Sequence, residues 1–279
     1  MGNSAMLGFN SPERSGSISF GSQTNAWPVN PENFDTLIET LDRIRQIGFT
    51  GFETGFRNLE KTKNQIPAAR KRIEETGLVF YGVHIFLRHY DEQTGIAPAE
   101  LYQDVIRNGT ALGARHLILS GHASSSVEKA QRKASALNEA GKFAKALGAS
   151  VAYHNHSAEF DRGGEEIQTL LASTDPSLVG FLVDAGHAFL GGVDVPTFLQ
   201  ENAGRVVGLH LRAFLNGTQV PLGQGIFSLG AVASTLKADR WTGWVLTEEE
   251  RTDGSKPGDS AVRPACEALQ KAFSAGVLR

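Results

Sequence analysis

The feature that most constrains the fold is an alternation of strand and helix that repeats eight times along the chain. Short apolar runs such as "LVFYGVHIF" and "ARHLILSGH" each precede a longer segment with apolar residues at helical spacing. Each unit has roughly 30 residues, the size of a βα unit in a barrel of about 250 residues. Glycine marks the helix-to-strand corners "IGFTG", "TGLVF", "LGARH" and "LGASV". The sequence therefore predicts an α/β fold, a single (β/α)8 TIM barrel.

A doubly wound open sheet is the competing architecture. Such a sheet usually has fewer strands, and no glycine-rich phosphate-binding loop follows the first strand here. We expect residues 17–279 to form the barrel as one catalytic domain, and the polar residues 1–16 to form a disordered tail. For the first helix, we expect Asn30 at the N-cap, Pro31 at the first helical position and Gly48 beyond the end.

Composition argues against several classes of protein. The net charge is -3, and the lysines and arginines are scattered, unlike the positive face of a nucleic-acid-binding protein. No apolar stretch approaches the roughly 20 residues that span a bilayer, so we expect no membrane association. Cys266 is the only cysteine, which excludes a disulfide framework and a cysteine-based zinc site and favours a reducing, cytoplasmic setting.

Polar residues gather where the predicted strands end, and in such a barrel that face carries the active site. Six of the eight histidines lie at or just past a strand end, which random placement would not produce. In strand order, the candidate residues are Trp27, Glu53, His84, His122, His154 with His156, Asp184 with His187, His210 with Arg212, and Glu248. This clustering predicts a functional site.

A histidine, an aspartate, a second histidine and a glutamate, on four different strands, form a set of metal ligands without thiolates. Mixed nitrogen and oxygen ligands suit Mn2+, Mg2+, Co2+, Fe2+ or Zn2+ and do not choose among them. Alternate residues of a strand share a face, so His154 and His156 can both point inward while Asn155 turns toward the neighbouring strand.

Five motifs in order, "YHNHSAEF", "LVDAGH", "GLHLR", "PLGQG" and "GWVLTEE", resemble the xylose isomerase-like superfamily of barrels from about Ser17 onward. That group includes sugar and sugar phosphate isomerases and epimerases, inosose dehydratase and an apurinic endonuclease. The resemblance implies one divalent ion held by the residues that end strands five to eight: His154, Asp184, His210 and Glu248. Many ketose epimerases have glutamate where His154 stands and use it in a two-glutamate proton relay. The "YHNH" pattern instead looks closer to inosose dehydratase, and Glu159, one turn on, is the candidate second acid or base.

The resemblance also implies substrate contacts. His187 and Arg212 look like the family's contacts to substrate oxygens. The further candidates for substrate binding are His156, His84, His122, Glu53 and Trp27. Each has a structural alternative: Glu53 pairing with a cation, Trp27 packing in the core, and the histidines serving as hydrogen-bonded wall residues.

Three functions remain open at this point. The first is a divalent-metal-dependent isomerase or epimerase of a keto sugar or sugar phosphate, in which Glu248 or Glu159 removes the proton next to the carbonyl to give an enediolate. The second is an inosose dehydratase-like lyase acting on a keto-polyol. An apurinic endonuclease is disfavoured by the acidic net charge and by a missing Asp-x-His motif after the seventh strand. The expected partner is a small sugar or polyol and not a nucleic acid. Members of the family often form homo-oligomers, so the resemblance alone suggests one here.

Overall fold

The computed structural model describes residues 17–225, 227–251 and 254–274. The disordered tail predicted for residues 1–16 lies outside the described residues.

Eight parallel strands close into a barrel, in the spatial order β1-β10-β7-β6-β5-β4-β3-β2. These barrel strands are Ser19–Gln23 (β1), Gly51–Gly55 (β2), Val79–Ile85 (β3), His116–Leu119 (β4), Ser150–His154 (β5), Val179–Asp184 (β6), Val206–Leu211 (β7) and Trp244–Thr247 (β10). Ala213–Leu215 (β8) and Thr218–Val220 (β9) form an antiparallel hairpin outside the barrel, which the sequence did not predict. The predicted (β/α)8 barrel is confirmed.

Helices connect the strands and pack around the barrel. They are Phe34–Ile47 (α1), Ile66–Glu75 (α2), Ala99–Ala111 (α3), Val127–Ala146 (α4), Asp161–Ser173 (α5), Ala185–Leu190 (α6), Val195–Glu201 (α7), Leu229–Ala238 (α8) and Asp259–Ser274 (α9). Within the described ranges, none of these helices combines the length and the apolar character that crossing a membrane would require.

The first helix begins later than the sequence predicts. Asn33 is its N-cap, and the side chain of Asn33 accepts a hydrogen bond from the Asp35 backbone N–H at 3.1 Å. The side chain of Asn30 instead accepts from the Glu32 N–H, so it stabilises a turn before the helix. The expected Asn30 cap is therefore wrong by one turn. The predicted end is confirmed, since Gly48 has a left-handed backbone with φ of 115°.

The core lies in two places. Most of it fills the space between the strands and the helices. A smaller cluster fills the barrel interior with Tyr81, Ile118, Ala152, Leu182 and Leu246. Since successive side chains of a strand alternate between its two faces, the residue two places further along also points inward. For four of these strands that residue is Ser120, His154, Asp184 or Glu248, each just beyond an interior apolar residue.

Candidate metal centre

The four candidate ligands lie together at the mouth of the barrel. One nitrogen or oxygen atom of each of His154, Asp184, His210 and Glu248 falls within 4.8 Å of the corresponding atom of every other. All four side chains are buried. The structure thus brings together, from four strands, the set predicted from the strand ends.

The atoms that face one another in this cluster lack hydrogen-bond partners. They are His154 Nε2, Asp184 Oδ2, His210 Nδ1 and Glu248 Oε2. Some lie at ion-pair distance, such as 2.6 Å between His210 Nδ1 and Glu248 Oε2, but without hydrogen-bond geometry. Leaving buried polar atoms unpaired costs free energy, which coordination of a cation would offset. Two imidazole nitrogens and two carboxylate oxygens fit a divalent first-row metal ion.

Hydrogen bonds from the protein hold the second carboxylate oxygen of Asp184 and the backbone of this residue. Asp184 Oδ1 accepts from the His187 backbone N–H at 2.8 Å and so caps helix α6. Asn155 donates to the Asp184 carbonyl at 3.1 Å and accepts from the Asp184 N–H at 3.0 Å. The structure agrees with the prediction that Asn155 turns toward the neighbouring strand. These bonds fix the backbone of β5 and β6 where their ligands leave the barrel.

Arg212 lies beside the two candidate ligand carboxylates, Asp184 and Glu248. Its Nε is 2.7 Å from Asp184 Oδ2, and its guanidinium also contacts Glu248 Oε2. Burial acts to raise the pKa of both carboxyls, but the Arg212 guanidinium and the nearby imidazoles outweigh it and hold both pKa values well below their usual range. Both groups are therefore carboxylates at neutral pH, as metal ligation requires.

Glu53 is a third buried carboxylate at this centre, on the opposite side of His210 from Glu248. Its Oε2 lies 2.8 Å from His210 Nε2, and its Oε1 lies 3.0 Å from His84 Nδ1. Burial raises the pKa of Glu53, but His210 and His84 outweigh this effect and hold it at about 2. Burial lowers the pKa of His210, yet the charges of Glu53 and Glu248 raise it to about 10.

A cavity of about 270 Å3 opens above the cluster. Its wall includes four predicted substrate-binding residues: Trp27, His84, His156 and Arg212. Trp27 is buried, and its indole N–H donates to Asp259 Oδ1 at 3.0 Å, so it also has a structural role. Further lining residues that the sequence reasoning missed are Gln23, Phe56, Phe86, Glu250 and Lys256.

His187 lies on the short helix α6 and not on a strand, because β6 ends at Asp184. Its ring is 5.2 Å from the ring of His156, which places it next to the cavity wall. Burial lowers the pKa of His187 to about 4, so the imidazole is neutral at neutral pH.

Two candidates lie away from this centre. The Glu159 carboxylate accepts from Tyr153 Oη at 2.8 Å and from the His156 backbone N–H at 3.1 Å, and it is not part of the cavity wall. His122 is exposed, and its ring packs 4.9 Å from Tyr90 at a separate surface depression. Tyr153 and His154 are adjacent in β5 and point to opposite faces of the sheet, so Tyr153 points out of the barrel. The Glu159 carboxylate lies on that outer side, because it accepts the hydrogen bond of the Tyr153 hydroxyl.

The hairpin β8–β9 supports the backbone of the last candidate ligand, Glu248. Gln219 is buried and donates from Nε2 to the Glu248 carbonyl at 2.8 Å. Arg251 donates to the Gln219 carbonyl at 3.1 Å and pairs with Glu249 at 3.0 Å. No periodicity in "AFLNGTQVP" reveals this contact, whereas Ser120 could have been found as the residue that ends β4 on its inward face.

Known proteins resemble the chain in both sequence and fold. Inosose dehydratase of Lactiplantibacillus plantarum is 33% identical over 139 residues, which are 43% of this chain and 46% of that protein. The chain thus spans about half the length of the curated relatives it matches.

Two solved structures share the fold at low identity. A sugar phosphate isomerase/epimerase from Parabacteroides distasonis superposes with a TM-score of 0.73 at 20% identity, covering 95% of this chain and 96% of the other. The 3-keto-D-glucoside 4-epimerase of E. coli superposes with a TM-score of 0.68 at 18% identity, covering 91% and 100%. The model of the xylose isomerase-like TIM barrel family matches residues 41–272. The chain therefore belongs to the xylose isomerase-like TIM barrel family.

Proposed function

We propose that this protein is a divalent-metal-dependent isomerase or epimerase that moves a proton next to the carbonyl of a keto sugar or sugar phosphate. One observation carries the proposal: four buried ligand atoms without hydrogen-bond partners face one another beneath an open cavity. A divalent ion held by His154, Asp184, His210 and Glu248 would polarise adjacent carbonyl and hydroxyl oxygens as a Lewis acid.

Glu248 is the proposed base. Its Oε2 belongs to the ligand cluster, whereas its Oε1 accepts long hydrogen bonds from Gln23 Nε2 at 3.4 Å and Asn25 Nδ2 at 3.3 Å. Both amides line the cavity, so Oε1 is held on the side from which a substrate would enter. A proton taken by this oxygen leaves an enediolate, whose negative charge the adjacent Arg212 guanidinium stabilises.

Glu159 is proposed as a positioning residue and not as the second base. Its carboxylate binds the backbone N–H of His156, and its Oε1 lies 3.8 Å from His156 Nδ1. His156 lines the cavity and is partly exposed, so its imidazole is the proposed second proton carrier.

Dehydration of a keto-polyol is the second candidate, because the named sequence relatives are inosose dehydratases. The same proton abstraction by Glu248 would begin that reaction, and His156 could protonate the departing hydroxyl. The apurinic endonuclease reading loses support, because it requires His122 among the ligands of three metal ions. Among the described residues, the single group suited to a metal contains four side chains and excludes His122.

The test is exchange of the substrate's α-proton with deuterated water, followed by NMR of the product. The Mn2+-loaded protein is incubated with a panel of ketoses, ketose phosphates and a keto-inositol. Exchange with an epimerised or isomerised product supports the first function, and a dehydrated product supports the second. No exchange with any member, in a protein that binds Mn2+, would contradict both.

Paired variants identify the base in the same assay. Glu248→Gln removes the proposed base and one ligand charge, so exchange is expected to fall by a factor of about 100 or more. Glu159→Gln leaves the Glu248 carboxylate in the cavity and removes only the support of His156. Exchange is therefore expected to fall by about tenfold or less. The reverse order would assign the base to Glu159.

Metal binding near pH 7 is expected to release at least one proton per ion. The pKa of His210 is raised to about 10, so its imidazole carries an additional proton at neutral pH that a metal ion must displace. The affinity should therefore rise with pH, about tenfold per unit for each released proton, and level off above pH 10. Titration calorimetry in two buffers of different ionisation enthalpy measures the release. Equal heats in both buffers would show that His210 is not protonated or does not bind the ion.

A further inference from the structure

We propose that Glu53, His84 and Ser120 form one hydrogen-bonded chain that links the two histidine ligands from behind and fixes the tautomer of each. In this arrangement His154 presents Nε2 to the cation and His210 presents Nδ1. The inference rests on the metal-dependent function proposed above. It assigns Glu53 and His84 as positioning residues, where the sequence suggested substrate binding, and adds Ser120.

The chain of contacts is continuous. His210 Nε2 lies 2.8 Å from Glu53 Oε2, and Glu53 Oε1 lies 3.0 Å from His84 Nδ1. His84 Nε2 lies 2.7 Å from Ser120 Oγ, which lies 3.4 Å from His154 Nδ1. All five side chains are buried, and both oxygens of Glu53 are engaged. Glu53 is not part of the cavity wall, which argues against direct substrate contact.

The proton positions follow from the chemistry of the groups. An ionised carboxylate only accepts hydrogen bonds, so the nitrogens that face Glu53 must be N–H groups: His210 Nε2 and His84 Nδ1. A neutral His84 then has its lone pair on Nε2, which accepts the Ser120 hydroxyl proton. The Ser120 oxygen in turn accepts from His154 Nδ1–H. Once a bound cation has displaced the second proton of His210, the lone pairs that remain are on His154 Nε2 and His210 Nδ1.

A separate observation identifies the same two atoms. His154 Nε2 and His210 Nδ1 are the imidazole nitrogens of these residues that are buried without a hydrogen-bond partner. The direction of the hydrogen bonds behind the ligands and the unpaired atoms in front of them therefore agree. Metal-binding histidines usually donate their other N–H to a carboxylate, carbonyl or water, which fixes ring orientation.

The geometry also joins the two halves of the barrel. Glu53 belongs to β2 and His84 to β3, while Ser120 directly follows β4. The histidine ligands belong to β5 and β7. A disturbance at Glu53 or Ser120 is thus expected to reach the metal through an imidazole, without contact between the altered residue and the ion.

The experiment measures Co2+ affinity by competition with a chelating dye and records the visible spectrum of the bound ion. Glu53→Gln places an amide NH2 against one imidazole and forces that ring to change tautomer or lose its bond, so affinity should fall by about 10- to 100-fold. Ser120→Ala leaves His154 Nδ1 without its acceptor and should lower affinity by about tenfold. Both variants should alter the Co2+ spectrum.

A matched control is available at the other end of the barrel. Ser150 Oγ lies 2.7 Å from His116 Nδ1, the same pair of groups at the same distance as Ser120 and His84. Ser150→Ala should leave Co2+ affinity within about twofold of wild type. His116 is the first residue of β4, so this pair lies far from the C-terminal strand ends that carry the candidate ligands. The melting temperature of each metal-free variant separates a loss of stability from a loss of affinity.

The outcomes distinguish this inference from the proposed function. A wild-type protein that binds no Co2+ contradicts both. If the wild type binds Co2+ and both Glu53→Gln and Ser120→Ala bind it within twofold of wild type, only the hydrogen-bonded chain is contradicted. If Glu53→Gln fails to fold, Ser120→Ala decides, because it removes one hydroxyl. NMR of the Zn2+-loaded, 15N-histidine-labelled protein gives a direct readout: ligation through His154 Nε2 and His210 Nδ1 is expected, and the same nitrogen in both would overturn the assignment.

Discussion

Asp184→Asn is expected to abolish stoichiometric binding of divalent metal and, with it, catalysis. Asparagine keeps the size of the side chain and an oxygen that can cap helix α6, as Asp184 Oδ1 does through the His187 N–H. The negative charge is lost, and with it the carboxylate Oδ2 that faces the other candidate ligands without a hydrogen-bond partner. Loss of a supporting outer residue costs about 10- to 100-fold in metal affinity, so loss of a direct ligand should exceed about 100-fold. Metal content of the purified protein, measured by mass spectrometry, checks the result.

Asp194→Asn is the matched control for this change. Asp194 precedes helix α7 at its N-cap position, as Asp184 precedes α6, but it is exposed and outside the ligand cluster. Metal content and turnover should equal those of the wild type. One ion per chain in both variants would contradict the assignment of Asp184 as a ligand. Two or three zinc ions per wild-type chain would instead favour the endonuclease.

Lys133→Met is expected to lower the free energy of unfolding by about 3–5 kcal/mol. Lys133 and Glu166 form an ion pair in which the side chains are 0% and 2% exposed. Lys133 also donates to the His122 carbonyl at 2.5 Å and to Tyr153 Oη at 3.3 Å. Methionine fills most of the space but leaves the Glu166 carboxylate buried without its cation, which is the costly part of breaking such a pair. Urea unfolding followed by circular dichroism measures the change.

Two comparisons make this result specific. Lys142→Met breaks the exposed pair between Lys142 and Glu139, with side chains 61% and 64% exposed, and should change stability by about 0.5 kcal/mol or less. Lys133→Met combined with Glu166→Leu removes both charges and should recover part of the loss. A Lys133→Met variant that loses no more stability than Lys142→Met would contradict the prediction. It would mean that water hydrates the Glu166 carboxylate in place of the lost ammonium group.

The fold and the gathering of the four candidate ligands could be predicted because both depend on local patterns. The alternation of apolar runs with helical spacing is a local property of the chain, and closure of a parallel barrel follows from its repetition. His154, Asp184, His210 and Glu248 could be found because each lies at or directly beyond the end of an apolar strand, where topology places all such residues at one face.

The roles of the surrounding residues could not be predicted in the same way. Glu159 follows the "YHNH" motif closely, yet its carboxylate faces Tyr153 outside the barrel. His122 lies three residues past the end of β4, far enough for the loop to carry it to the surface. Which partner a polar side chain meets depends on register between strands distant in sequence, as with Glu53 and His210, 157 positions apart.

The closing strand has a consequence for how the protein is made. β10 pairs with both β1 and β7, and Glu248 immediately follows it. A chain still on the ribosome, with β10 unmade, contains Asp184 and both candidate histidine ligands but neither the Glu248 carboxylate nor a closed barrel. Its β1 and β7 edges also remain unpaired, which exposes them to other chains. Complete coordination of the proposed ion therefore requires that β10 has been made and paired, and before that closure the two open edges are the part of the barrel that needs protection from other chains.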